Sequence, residues 1–91
     1  MAEPAAVHRA RSLLKHVQKL GGQPEDFYVL VTKDEAIELL KWFRTQVDET
    51  KLNVALYDRD VRRALKRDDP FEVLEQFTLC GLPIRPASSI H

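Results

Sequence analysis

Phe27-Tyr28-Val29-Leu30-Val31-Thr32-Lys33-Asp34-Glu35 sets a strand signal directly against a helix start. The first five residues are aromatic, aliphatic or β-branched, a composition that fits pleated backbone. No polar residue interrupts them, so the run predicts a strand buried on both faces, with a buried helical turn as the alternative. Thr32 and Glu35 then form a T-x-x-E capping box. The Thr32 hydroxyl accepts from the Glu35 backbone N–H, and the Glu35 carboxylate accepts from the Thr32 backbone N–H. The strand reading makes the fold α+β.

Beyond the box, Ala36, Leu39, Leu40, Phe43 and Val47 recur at helical spacing, and Ile37 widens their face. Trp42 falls at the boundary of that face. It is read as a packing residue over a neighbouring element, with a partner anchor as the other reading. Upstream, a helix is expected from Pro4 to Leu20, with Ala6, Ala10, Leu13, Leu14 and Val17 inward. Gly21-Gly22 supplies its left-handed stop. Lys15, His16 and Lys19 suit the negative end of its dipole.

Downstream, residues 52–67 fit two templates. One is a helix capped by Asn53, with Val54, Tyr57, Val61, Ala64 and Leu65 inward and Leu56 outside. The other is a strand over Leu52–Tyr57 followed by a shorter helix from Asp58. The helix accounts for more of the apolar residues. Asp69-Pro70-Phe71-Glu72 opens a further short helix, with Asp69 as cap, Pro70 at the first position and Glu72 in the reciprocal capping position. Phe71, Leu74 and Phe77 face inward. Thr78 to Ile84 reads as a hairpin turning at Cys80-Gly81, and Pro83 assigns its second strand to a sheet edge.

The elements predict four helices packed around a minimal two- or three-stranded sheet, an α+β architecture. Ninety-one residues suit one domain, placed at 1–85, with 86–91 as a flexible C-terminal tail. An apolar fraction of 44% with 31% charged residues is that of a soluble globular chain. A single cysteine, Cys80, forms no internal disulfide, which fits a reducing compartment. No apolar run approaches the ~20 residues of a membrane span, and the start lacks a signal-peptide core. A cytoplasmic location without membrane contact is expected.

Catalytic signatures are missing. Gly21-Gly22 leads into Gln23-Pro24, not into a phosphate-cradling Lys-Ser/Thr. His8 and His16 sit eight residues apart, ~12 Å along a helix, too far to share a zinc ion. His91 lies in the expected tail. Cys80, Ser12, Ser88 and Ser89 have no base tied to them by motif, and Cys80 is read as a small semi-buried residue. The acids Asp34, Glu35 and Asp69 are explained by capping. Asp58 can pair with Arg62 at i+4. No enzyme activity, cofactor, metal or small-molecule substrate is expected.

Charge is the remaining signal. The net charge is zero, but it is segmented. Residues 1–22 carry +3, residues 23–50 carry −4, residues 51–67 carry +4 and residues 68–91 carry −3. This pattern suits basic and acidic segments lying side by side, within a subunit or across a dimer. Five of the fourteen basic residues, Arg59, Arg62, Arg63, Lys66 and Arg67, fall in nine positions. On a helix they project to one side, with Val61, Ala64 and Leu65 on the other. Such a stripe is a solvated face, a contact for an acidic protein, or a phosphate-binding surface. A whole-chain pI near 6.8 weighs against a dedicated nucleic-acid binder. The expected function is a non-enzymatic interaction protein that docks on another macromolecule or self-associates as a homodimer. Trp42, Arg59, Arg62, Arg63, Lys66 and Arg67 are its candidate contact residues. The alternative is a nucleic-acid-binding accessory protein using the helix 59–67.

Overall fold

The computed structural model describes residues 3–46 and 53–87. In chain order the elements are α1 (Ala5–Lys19), a short 3-10 turn (Pro24–Asp26), β1 (Val29–Val31), α2 (Lys33–Gln46), α3 (Asn53–Lys66), α4 (Phe71–Leu74), β2 (Thr78–Leu79) and β3 (Leu82–Pro86). The fold is α+β, with four helices and a three-stranded mixed sheet ordered β1-β3-β2. β3 runs parallel to β1, pairing Val29 with Ile84 and Val31 with Pro86. It runs antiparallel to β2, pairing Leu79 with Leu82. Residues 53–66 are one helix, which decides between the two templates for that stretch.

The capping box forms as expected. The Glu35 N–H donates to Thr32 Oγ1 at 3.2 Å, and the Thr32 N–H donates to Glu35 Oε1 at 2.9 Å. Glu35 also holds α1. Arg9 Nη1 reaches its Oε2 at 2.6 Å and Arg9 Nη2 reaches its Oε1 at 2.9 Å, while Nη2 donates to the Leu30 carbonyl at 2.7 Å. The Arg9 hydrogen bonds, helped by those from Thr32, hold the Glu35 carboxyl below its usual range against a smaller opposing effect of burial. One carboxylate thus joins the last turn of β1, the first turn of α2 and the flank of α1.

β1 corrects the expectation of burial on both faces. Val29 and Val31 are buried, but Tyr28 is 55% and Leu30 49% exposed. The helices cover one face of the sheet, so alternate residues look outward. Pro83 is a second correction, because β3 is the central strand. The Ala87 N–H donates to the Val31 carbonyl at 2.7 Å, which fixes the direction of the ladder. Parallel geometry then puts the Pro83 nitrogen ahead of the first β1–β3 bond. The Pro86 nitrogen faces the side where β2 has ended. Neither proline removes a bond that the sheet makes. The same Ala87 bond carries strand pairing into the segment expected to be tail.

Helix ends explain the turns. Gly21, at φ 74°, closes α1 with a Schellman pattern in which the Gly22 N–H donates to Val17 and the Gly21 N–H to Gln18. α3 ends the same way, with Asp68 at φ 59° in the left-handed position. The Asp69 N–H donates to Ala64 and the Asp68 N–H to Leu65. Asp69 is therefore used by its backbone to stop α3. Its side chain makes no cap on α4, contrary to expectation, and Pro70 precedes that helix as a buried residue. Cys80 (φ 54°) and Gly81 (φ 82°) form the two-residue hairpin turn, and Cys80 is exposed instead of semi-buried.

The core joins all layers: Ala6, Val7 and Ala10 of α1, Val29 and Val31 of β1, Ala36, Leu39 and Leu40 of α2, Val73 and Leu74 of α4, and Leu79, Leu82 and Ile84 of the hairpin. Leu13 and Leu14 are only partly buried against it. Val47, expected on the inner face of the second helix, lies outside the described residues.

Two substitutions test this account. Glu35→Ala removes the cap and the Arg9 clamp together and is expected to cost about 1–2 kcal/mol in urea unfolding. Cys80→Asn supplies the residue that favours two successive positive φ angles before Gly81 and is expected to raise stability by about 0.5–1 kcal/mol.

Candidate docking surface on the third helix

α3 is amphipathic, and its placement starts from Tyr57. The ring is buried and packs edge-on to Phe77, with centroids 5.9 Å apart. Phe77 stacks on Phe43 at 4.7 Å. The Tyr57 hydroxyl donates to the Leu40 carbonyl at 2.6 Å, tying α3 to α2. Ala64 is fully buried, and Val61 packs against the core. With that face held inward, the opposite face must meet solvent.

The candidate cations occupy that outer face. Arg59, Arg62, Arg63 and Lys66 lie within the helix and Arg67 just beyond it, and all five are exposed. Their surroundings divide them. Arg59 Nε is 3.8 Å from Asp60 Oδ1, and Arg67 Nη1 is 3.5 Å from Glu72 Oε1. Arg63 shares a polar recess of about 220 Å³ with Asp60, Glu72, Val73 and Gln76. These three face the acids near α4. Arg62 and Lys66, four residues apart and on the other flank of the stripe, have no carboxylate partner among the described residues. The i+4 pair expected between Asp58 and Arg62 does not form. Asp58 Oδ1 accepts instead from Arg44 Nε at 2.8 Å, because α2 packs along that side of α3.

Two apolar residues of α3 also remain exposed. Leu56 is 48% accessible, as its outward position predicts. Leu65 is 44% accessible, which corrects the expectation that it points into the core. It lines a groove between α2 and α3 together with Ile37, Leu40, Lys41, Arg44, Tyr57, Asp58 and Val61. Nothing in the periodicity of α3 alone separates Leu65 from Val61. The distinction comes from where α2 crosses.

Trp42 sits apart from this stripe. It is half-buried on α2, edge-on to Phe43 with centroids 5.2 Å apart, and packs against the core. This is the packing geometry of its first reading. The segmented charge finds partners within the subunit. Arg9 with Glu35 joins the first two blocks, and Arg67 with Glu72 joins the last two.

Among the described residues, no three His, Cys, Asp or Glu side chains gather as a metal site. No helix there is long and apolar enough to cross a membrane. Comparison with known protein families, curated proteins and solved structures gives no match to this chain.

Burial pushes the Tyr57 hydroxyl up from 10.0 to about 12, with the Asp58 carboxylate adding to the effect. The folded state holds this proton more tightly than the unfolded chain does. Stability is therefore intact below pH 10 and is lost between about 10 and 12 as the unfolded state ionises first. A spectrophotometric titration is expected to show one tyrosine ionising near 12 together with loss of helical circular dichroism. Tyr57→Phe, which removes the hydroxyl's hydrogen bond to the Leu40 carbonyl, is expected to cost about 1 kcal/mol.

Proposed function

We propose that this protein is a non-enzymatic interaction module that docks on an acidic surface of another protein through the exposed face of α3. The observation that carries the reading is the pair Arg62 and Lys66. Both are exposed on a rigid helix, and neither is matched by a carboxylate of its own chain among the described residues. Cations fixed on a rigid helix are presented in a set pattern, which steers encounter and fixes orientation. Arginine adds planar, bidentate geometry for carboxylates. Docking of this kind works by tethering or occlusion and needs no reactive group. A second copy of the chain, with its own acidic segments, is one form such a partner can take. A nucleic acid would use the same cations, but Asp60 and Glu72 lie along the other flank of the stripe and would repel a phosphate backbone.

The test is photo-crosslinking in the native host, with a benzophenone side chain at position 66 and a control at exposed Glu75. An adduct of defined mass is expected from position 66 and not from 75, and its yield should fall with added salt. With the probe kept at position 66, Arg62→Glu is expected to lower the yield roughly tenfold or more, equivalent to about 1.4 kcal/mol, at unchanged melting temperature. Adducts to nucleic acid alone, or none from position 66, would remove the reading.

A further inference from the structure

The groove between α2 and α3 gives that docking surface a shape. The two helices run antiparallel. Ile37 and Leu40 of α2 line the groove together with Val61 and Leu65 of α3. An ion pair brackets each end, Arg44 with Asp58 and Lys33 with Asp68. Between the brackets is an apolar pit of about 160 Å³ whose wall includes the half-exposed Leu65. Both acids at its ends are engaged by cations. Lys41 lines the α2 side and makes no ion pair among the described residues. Arg62 lies one helical turn from the groove-lining Asp58, and Lys66 one turn beyond Arg62, so the unmatched half of the basic stripe runs along α3 just outside the lining residues. The result is an apolar floor with Lys41 on the α2 side and Arg62 and Lys66 beyond its α3 side.

We infer that this groove accepts an acidic amphipathic helix of a partner protein, with one bulky aliphatic or aromatic side chain in the pit and carboxylates toward Lys41, Arg62 and Lys66. The inference rests on the proposed docking through α3 and specifies its partner. The argument is complementarity of two kinds. Apolar area that water now covers is buried by the anchor side chain. The rim cations meet the carboxylates that flank such an anchor on a helix, which is how helix-in-groove recognition is organised. A purely acidic chain fills only the rim and leaves the pit wet. A phosphate backbone has no anchor for the pit.

Fluorescence anisotropy with four labelled probes tests this on the full chain. One probe is a peptide of about 16 residues, roughly four helical turns, with leucines at i, i+4 and i+7 and glutamates elsewhere. The others are a scrambled peptide of equal composition, an oligoglutamate and a single-stranded DNA of matching length. The amphipathic peptide is expected to bind at least about tenfold more tightly than the other three. Leu65→Ser and Lys41→Glu change exposed residues, so each should melt like the parent protein. Each is expected to weaken that peptide by about fivefold to tenfold. Equal binding of all three peptides, unaffected by Leu65→Ser, would overturn the groove while leaving the charged docking face standing. Binding of the DNA alone, or of no probe, would overturn the groove as well, and the crosslinking result then decides the docking face by itself.

Discussion

The parallel pairing of β1 with β3 is the constraint on which the rest of the structure depends. Val29 and Val31 find their strand partners in Ile84 and Pro86, at the far end of the chain. Neither strand buries its apolar face until the intervening helices have packed. A strand of three residues contributes few ladder bonds of its own, so its stability is borrowed from what lies against it. Arg9 contributes at the open side of β1. It occupies the Leu30 carbonyl and grips Glu35, so the edge strand is tied to both neighbouring helices and one of its outward backbone acceptors is already used.

That arrangement explains why the outer surfaces differ so much in character. The sheet has helices on one side only, which leaves Tyr28 and Leu30 half-exposed on the other. α3 is pinned by Tyr57, through its hydroxyl to the Leu40 carbonyl and through its ring edge-on to Phe77. Once those contacts hold its inner face, the cations have nowhere to go but outward. The division of the stripe then follows from its neighbours. α4 brings Glu72 toward Arg63 and Arg67. α2 brings Arg44 to Asp58 and so leaves Arg62 without the acid that its own helix offers. A local i+4 pair is a weak, solvent-exposed interaction. Packing geometry can displace it at little cost.

Local rules were legible in the sequence wherever they acted alone. The Thr32–Glu35 box, the Gly21 stop, the Cys80-Gly81 turn and the helical course of 53–66 all follow from residue chemistry within a few positions. Features that depend on a neighbouring element depart from the local pattern. Five apolar residues in a row suggested a strand covered on both faces, yet only one face is covered. Asp69 carried the composition of a side-chain cap, but its backbone closes the preceding helix. Pro83 carried the mark of an edge strand. It lies in the centre of the sheet because its nitrogen falls where no ladder bond is made.

The same division holds for the docking face. The amino-acid order by itself set the α+β class, the segmented charge and the five cations on one side of α3, because those depend on helical periodicity and capping. Only the tertiary structure decided that Arg63 and Arg67 sit beside Glu72, while Arg62 loses Asp58 to Arg44 and Leu65 lines an apolar groove. That outcome depends on which helix packs against which flank. A side chain's periodicity says which way it leaves its own helix, but what it meets there belongs to another part of the chain.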